Sequence, residues 1–187
     1  MKRIAIFASG SGSNAENIIR YFNAHKTAQV TKVFCNKKGA KVFERCKRLQ
    51  VDATLFSKEA FHNSDNVLEE VAAVADVVVL AGFLWKIPPS FIERFPNKII
   101  NIHPALLPKY GGKGMYGMHV HEAVKAHQET ETGISIHLVN EQYDEGAILF
   151  QAKTAVAPSD SAEDIAQKVH ALEYEHFPKV IDTYING

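Results

Sequence analysis

The sequence predicts an α/β fold: a doubly wound, mostly parallel sheet flanked by helices, with antiparallel strands in the C-terminal part. Up to about residue 100, short apolar runs alternate with segments whose apolar residues recur at helical spacing, which is the pattern of repeated strand–helix units. Residues 77–81 are continuously apolar and rich in valine, as expected of a strand covered on both faces. After Pro104 the pattern changes, and residues 133–140 alternate apolar and polar side chains. That alternation predicts a strand with one face in water.

The first part of the chain is predicted to hold five strands and four helices. The helix after the first strand carries Ala15, Ile18, Ile19 and Phe22 at helical spacing. Helices that connect successive strands lie on the faces of a sheet, so this alternation predicts the doubly wound class. The strands are predicted at residues 3–8, 30–35, 53–56, 77–81 and 99–102, and the helices at residues 14–22, 41–49, 65–75 and 89–95.

The second part opens with a long loop at residues 107–118, which contains four glycines and no apolar periodicity. We expect this loop to be a mobile flap over a substrate. Ser161, with Asp164 three residues later, predicts a capping box at the start of the last helix. Pro178 predicts an interruption of that helix. Helices are predicted at residues 119–126 and 161–184, and strands at residues 133–140 and 147–156.

Length and composition limit the class of protein. The 187 residues suggest one domain. The 21 basic residues balance 21 acidic ones, so the sequence lacks the excess positive charge typical of nucleic-acid-binding proteins. Cys35 and Cys46 are the only cysteines, which indicates free thiols in a reducing compartment. No segment resembles a secretory signal or a membrane span. We therefore expect a cytoplasmic monomer or homodimer that binds small molecules, and neither nucleic acid nor membranes.

A glycine-rich loop at residues 9–14, Ser-Gly-Ser-Gly-Ser-Asn, joins the first strand to the first helix. Glycines let a ligand approach the backbone, and the helix N-terminus offers free amides and a partial positive charge. Both features favour a phosphate. With Ala15 the spacing also fits a dinucleotide fingerprint, but the second strand ends in Asn36 and Lys37, with no acidic residue to hold a ribose. A tight strand–helix turn without a ligand is the third interpretation.

Asn101 and His103 stand two residues apart where the fifth strand ends, so their side chains are predicted to point the same way. Ligands of open α/β sheets bind at the carboxyl ends of strands. An amide there can donate to an oxyanion, and an imidazole can transfer a proton near pH 7. Asp144, in a predicted turn, has a carboxylate that could orient the imidazole. The residues alone leave open a structural polar pair for Asn101 and His103, and an ordinary turn residue for Asp144.

Residues 101–108, Asn-Ile-His-Pro-Ala-Leu-Leu-Pro, resemble the signature of the folate-dependent formyltransferases. The glycine loop, the run ending Leu-Ala-Gly-Phe at residue 83 and the Asp-Glu-Gly at residues 144–146 fall in that family's order. The resemblance covers essentially the whole chain. It implies an enzyme that transfers a formyl group from the co-substrate 10-formyltetrahydrofolate to an amine, without a metal. The phosphate loop narrows the acceptor to glycinamide ribonucleotide, a substrate of purine biosynthesis.

The same resemblance implies the organisation of the chain and the roles of its residues. It implies one formyltransferase domain, with a phosphate-binding half at about residues 1–100 and a catalytic and folate-binding half at about residues 101–187. Asn101 would donate to the oxyanion, His103 would stabilise it and assist proton transfer, and Asp144 would hold His103 and accept a proton through water. The phosphate and ribose contacts carry over to Gly12, Ser13, Asn14 and Glu173, and the folate contacts to Phe83, Leu84, Ile87, Asn140 and Asp144. From the residues alone, Glu173 fits equally well on a solvated helix face.

Three other histidines are expected to lie outside the chemistry. His119 and His121 stand two apart on a predicted helix and point about 200° apart, so they cannot share one metal ion with His103. His137 is expected on the solvent face of its strand.

Two competing functions remain open. The first is another formyl-folate enzyme, either a hydrolase or one with a different amine acceptor. The second is a non-catalytic nucleotide-binding module. The second predicts that Asn101, His103 and Asp144 lie more than ~10 Å apart.

Overall fold

The computed structural model describes all 187 residues, and its helices and strands confirm the predicted fold class. Each strand of the first half is followed by at least one helix. The strands are β1 (Lys2–Ala8), β2 (Ala28–Cys35), β3 (Asp52–Leu55), β4 (Val77–Leu80), β5 (Ile99–His103), β6 (Glu131–Leu138) and β7 (Ile148–Ala155). The helices are α1 (Ser13–His25), α2 (Val42–Leu49), α3 (Lys58–His62), α4 (Asn66–Val74), α5 (Pro89–Arg94), α6 (Met118–Ala126) and α7 (Ala162–Asn186).

The seven strands form one sheet in the order β3-β2-β1-β4-β5-β6-β7. Strands β1 to β5 are parallel, whereas β6 and β7 are antiparallel to their neighbours. From β1 the sheet first grows in one direction, to β2 and β3, and then in the other, to β4 and β5. The connections that leave β1 and β4 therefore diverge, which opens a crevice at the carboxyl ends of these strands.

The core consists of two apolar layers, one on each face of the sheet. In β1, Ile4 and Ile6 enter the layer formed with α1, α2 and α7, while Ala5 and Phe7 enter the layer formed with α3, α4 and α5. Successive side chains of a strand point to opposite faces, and all four are fully buried. This is why β1 has a continuous apolar sequence.

The prediction that β6 has one face in water is wrong. Ser135 and His137, which belong to the predicted wet face, are both buried. The segment after β5 folds over this face: the Leu107 N–H donates to Ser135 Oγ at 2.9 Å, and Ser135 Oγ donates to the Ala105 carbonyl at 2.7 Å. Polar side chains on an alternating strand can therefore bind backbone rather than water.

The predicted interruption of the last helix is also wrong, because α7 continues through Pro178. Proline lacks the N–H that would bond to the carbonyl four residues earlier, which belongs to Tyr174. In this fold Asn17 Nδ2 on α1 donates to that carbonyl at 2.9 Å. Burial of Phe177 and Ile181 on either side of the proline holds the helix against the sheet. The predicted capping box of Ser161 and Asp164 is confirmed.

Helix α3 was not predicted. It has five residues, too few to show an apolar period, and Ser57 caps it by accepting from the Ala60 N–H at 3.1 Å. None of the helices, including the 25-residue α7, combines the length and the apolar character needed to cross a membrane.

Candidate active site

A cavity of about 670 Å³ opens at the carboxyl ends of β1, β4 and β5. All the site residues predicted from the sequence line it. Residues from α1, α7, the β4–α5 connection and the segments that follow β5 and β6 meet there. The predicted residues that the structure places in this lining are Gly12, Ser13, Asn14, Phe83, Leu84, Ile87, Asn101, His103, Asn140, Asp144 and Glu173.

The orientation of the Asn101 amide is fixed by His137. The two residues are opposite each other in the antiparallel pairing of β5 and β6, and Asn101 Nδ2 lies 3.1 Å from His137 Nε2. His137 Nδ1 lies 2.9 Å from the Leu138 carbonyl oxygen, which can only accept. In a neutral ring the proton is therefore on Nδ1, and Nε2 accepts one hydrogen from the Asn101 amide. The second amide hydrogen remains available to a ligand in the cavity.

The imidazole of His103 is buried, with 4% of its surface exposed. Its Nε2 donates to the Tyr110 carbonyl at 2.7 Å, and its Nδ1 lies 3.6 Å from Asp144 Oδ2. Burial lowers the pKa of His103, and this outweighs the opposing effects of the Asp144 charge and the Tyr110 carbonyl. The ring is therefore neutral near pH 7, with an unprotonated Nδ1 beside a carboxylate.

Asp144 lies between the two histidines. Its Oδ2 accepts from the Gly112 N–H at 3.0 Å, and its Oδ1 lies 3.5 Å from His137 Nε2. Burial acts to raise the pKa of Asp144, but the neighbouring His137 and His103 rings and the Gly112 N–H together lower it below its ordinary value. The carboxylate is therefore ionised at neutral pH. Its backbone has a φ of 55°, a left-handed conformation that Asp tolerates better than most residues.

The glycine-rich loop presents backbone donors without helical partners at the start of α1. Gly12 has a φ of 72°, and a Cβ there would lie 2.4 Å from Val42 Cγ2, so only glycine fits. The first intrahelical bond runs from the Glu16 N–H to the Gly12 carbonyl at 2.9 Å. The N–H groups of the three residues between them have no helical partner. These donors and the helix dipole make the loop a site for an anion.

Glu173 on α7 is buried at 5% exposure, so the solvated-face interpretation of this residue is wrong. Its Oε2 accepts from Asn14 Nδ2 at 2.9 Å and from His170 Nδ1 at 3.0 Å. The hydrogen bond to Glu173 raises the pKa of His170. The packing of α7 beside α1 thus places a carboxylate next to the glycine-rich loop.

The other end of the cavity is more apolar and more open. Phe83 and Ile87 line its wall, and Leu84, which is half exposed, lies at the rim. Tyr143 is also at the rim, with Lys86 Nζ 5.4 Å from the centre of its ring. Apolar walls with a few polar groups are typical of sites for flat organic ligands.

Sequence reasoning missed two histidines of this cavity. His137, expected at the surface, is 2% exposed, and that prediction is wrong because β6 is covered. His121 is 4% exposed and also lines the cavity. No local signal distinguishes either residue, because each depends on the partner that its element meets in the fold. No group of three or more His, Cys, Asp or Glu side chains is arranged to hold a metal ion.

A phosphate-type loop and a buried Asn–His–Asp cluster share one cavity at the switch point of a doubly wound sheet. This arrangement is that of an α/β enzyme. The chain matches the formyl transferase family over residues 2–181, and it belongs to that family.

Individual relatives agree with this assignment. The chain is 36% identical to the phosphoribosylglycinamide formyltransferase of Haemophilus influenzae, over 100% of this chain and 89% of that protein. It is 34% identical to the Escherichia coli protein of the same name, over 98% of this chain and 87% of the other. The crystal structure of glycinamide ribonucleotide transformylase 1 from Symbiobacterium toebii superposes with a TM-score of 0.90 at 30% identity, covering 98% of this chain and 87% of that one.

Proposed function

We propose that this enzyme transfers a formyl group from 10-formyltetrahydrofolate to the amino group of glycinamide ribonucleotide in de novo purine biosynthesis. The observation that carries the proposal is that an anion-binding loop and the Asn101–His103–Asp144 cluster line the same cavity. A phosphorylated amine held at the loop would extend toward the cluster. Similarity to proteins named phosphoribosylglycinamide formyltransferase supports the same reaction.

The reaction exchanges one carbon–nitrogen bond for another. The substrate amine attacks the formyl carbon, a new C–N bond forms, and the formyl oxygen becomes an oxyanion. When the oxyanion collapses, the bond between the formyl carbon and N10 of the folate breaks. The amine loses one proton and N10 gains one, so the enzyme must move a proton without consuming any.

Asn101 stabilises the oxyanion in this proposal. One hydrogen of its amide is held by His137 Nε2 at 3.1 Å, so the other is fixed in direction before the substrate binds. A preorganised donor of this kind is typically worth about 3–4 kcal/mol of transition-state stabilisation. His137 is then a positioning residue, because it acts on the reaction through Asn101.

The His103–Asp144 pair moves the proton in this proposal. The unprotonated Nδ1 of His103 can take up a proton, and Asp144, 3.6 Å away, stabilises the imidazolium that results. The attacking amine loses its proton through water to this pair. The imidazolium then stabilises the oxyanion and supplies the proton that N10 needs to leave. General acid–base groups of this type typically contribute about 10²–10⁴-fold in rate.

The two substrates occupy opposite ends of the cavity in this proposal. The phosphate binds the amides of Gly12, Ser13 and Asn14, and the ribose hydroxyls donate to Glu173. The folate ring system lies against Phe83, Leu84 and Ile87, with Asn140 and Asp144 at its polar edge. The whole of residues 1–187 acts as one formyltransferase domain, in which the first half binds the phosphate and the second carries the catalytic cluster and the polar edge of the folate site.

A spectroscopic assay of formyl-folate consumption tests the proposal. The purified chain is supplied with glycinamide ribonucleotide, with a tRNA acceptor, or with water alone. We expect turnover only with the ribonucleotide, and a loss of about 10²-fold or more in His103→Ala with an unchanged circular dichroism spectrum. Turnover with water alone would identify a hydrolase instead, and turnover restricted to the tRNA would identify a different acceptor.

The binding-module alternative is not supported by the geometry. It predicts that the three side chains lie more than ~10 Å apart. His103 Nδ1 and Asp144 Oδ2 are 3.6 Å apart, and His137 connects Asn101 to the same carboxylate.

A further inference from the structure

His121 is a buried polar side chain that the proposed chemistry does not use. It lies on α6 and lines the cavity with 4% of its surface exposed. Its Nδ1 is sealed from solvent and has no hydrogen-bond partner. Native proteins rarely leave a buried ring nitrogen unpaired, because the desolvation of that nitrogen is then not offset by a hydrogen bond. The polar atom of this ring that can face the cavity is Nε2.

The groups around His121 belong both to the proposed ribose site and to the proposed catalytic cluster. Helix α6 packs against α7, which carries His170 and Glu173. The titratable groups that act on the pKa of His121 are His170, Glu173 and His103. The ring therefore lies among the groups proposed to hold the ribose and the group proposed to move the proton. Burial lowers the pKa of His121, so the ring is neutral and carries one proton.

The position of that proton follows from the pairing of Nδ1. A buried N–H without an acceptor is rarer and more costly than a buried acceptor without a donor. The proton of the neutral ring is therefore on Nε2, which makes His121 a hydrogen-bond donor toward the cavity. A ligand that pairs with it must present an acceptor oxygen.

The neighbouring groups supply acceptors but few free donors. The Glu173 carboxylate only accepts hydrogen bonds, and its Oε2 already accepts from Asn14 Nδ2 and His170 Nδ1. A sugar hydroxyl both donates and accepts, so a hydroxyl that donates to Glu173 still requires a donor for its own oxygen. His121 Nε2–H has no protein acceptor and can serve as this donor.

We propose that His121 binds the ribose of the acceptor, with its Nε2–H donating to a hydroxyl oxygen whose own hydrogen goes to Glu173. The ligand class is thus a ribonucleotide with free vicinal hydroxyls. This inference rests on the proposed function for the identity of the acceptor. It adds a residue that recognises the sugar rather than the phosphate or the amine.

Three variants separate hydrogen bonding from packing. His121→Gln places an amide nitrogen near the position of Nε2, His121→Asn places one near Nδ1, and His121→Phe keeps the volume without a donor. Calorimetric titration with glycinamide ribonucleotide and with its 2′,3′-dideoxy analogue measures binding directly and does not require turnover. The formyl-folate assay is run in parallel on the same preparations.

We expect Kd for the ribonucleotide to rise about 3–10-fold in His121→Phe and His121→Asn, as for the loss of one hydrogen bond. His121→Gln should restore it to within about 2-fold, and the dideoxy analogue should bind all four proteins equally. Equal ribonucleotide affinity in wild type and His121→Phe would overturn the inference, as would an equal loss for both ligands. Binding with this pattern but without turnover would overturn the proposed reaction alone.

Discussion

At the scale of single residues, the active cluster depends on which ring nitrogens carry protons. Backbone carbonyls accept from His137 Nδ1 and from His103 Nε2. These contacts leave His137 Nε2 as the acceptor that orients Asn101, and His103 Nδ1 as the free base beside Asp144. The protein thus sets the direction of the amide and the location of the base before any substrate enters.

The protonation state of His103 gives a prediction for the pH dependence. In the proposed mechanism the neutral ring is the active base, and burial lowers the pKa of His103 below its ordinary 6.5. Besides the decline that protonation of the substrate amine causes, we therefore expect a decline of kcat/KM that belongs to His103 and lies below pH 6.5. Because the Asp144 charge raises the pKa of His103, Asp144→Asn should move this decline to still lower pH. A pH series of kcat/KM for both proteins measures the shift.

Asparagine is the suitable replacement for Asp144, because it tolerates the φ of 55° that this residue adopts. We expect kcat to fall by about 10²-fold or more in Asp144→Asn, in keeping with the loss of an acid–base partner. The control is Glu145→Gln, which removes the adjacent exposed carboxylate and should leave the profile unchanged. If kcat/KM of Asp144→Asn declined at a higher pH than that of the wild type, the assignment of His103 as the base beside Asp144 would be contradicted.

At the scale of elements, α2 holds the glycine-rich loop in place. Arg45 Nε donates to the Ser11 carbonyl of the loop at 2.8 Å, and its Nη1 pairs with Glu16 on α1. Arg48 and Arg20 bind the same carboxylate at 2.7 and 2.8 Å. The hydrogen bond from Arg45, followed by those from Arg20 and Arg48, outweighs desolvation and lowers the pKa of Glu16 to about 2. The cluster connects the loop, α1 and α2.

Arg45 and Arg48 offer a matched test of this arrangement. Arg45→Leu and Arg48→Leu each remove one positive charge and one contact with Glu16, but only Arg45 binds the loop. We expect Arg45→Leu to raise KM for the ribonucleotide about 3–10-fold with kcat and the folate KM unchanged, because the loop loses a charge-assisted hydrogen bond. Arg48→Leu should change that KM by less than about 2-fold. Equal effects of the two variants in steady-state kinetics would show that charge alone matters.

At the scale of the whole molecule, the first half of the chain (residues 1–100) and the second half (residues 101–187) share one sheet and one core. Strand β4 of the first half pairs with β5 of the second. The larger apolar layer joins Ile4 and Phe22 from the first half to Ile134 and Phe177 from the second. Neither half can bury its apolar face without the other.

This shared core predicts a single unfolding transition for the chain. Trp85 is the only tryptophan and reports on the first half. A Trp85→Phe, Phe150→Trp double variant moves the probe to β7, in the second half. Urea unfolding of each protein is measured by tryptophan fluorescence and by circular dichroism. In each protein we expect the fluorescence transition to coincide with the loss of the helical dichroism signal. Fluorescence and dichroism midpoints that separate within either protein would indicate two independently folding units.

Local patterns account for much of the fold and for part of the site. The continuous apolar runs located β1 and β4, and the glycine loop and the strand-end pair of Asn101 and His103 were found from spacing alone. The roles of Asp144 and Glu173 came from family resemblance, since a turn and a helix face have ordinary explanations. The five-residue α3 was missed because it is shorter than the period that identifies a helix.

The sequence by itself determined the alternation of strands and helices, the anion-binding loop and the presence of an amide and an imidazole at one strand end. Only the tertiary structure decided that β6 is covered on both faces, that His137 orients Asn101, and that α6 and α7 bring His121 and Glu173 to the same cavity. The physical reason is that periodicity and capping act between residues a few positions apart. Strand pairing and helix packing join residues 36 positions apart, as for Asn101 and His137, or 159 apart, as for Asn14 and Glu173.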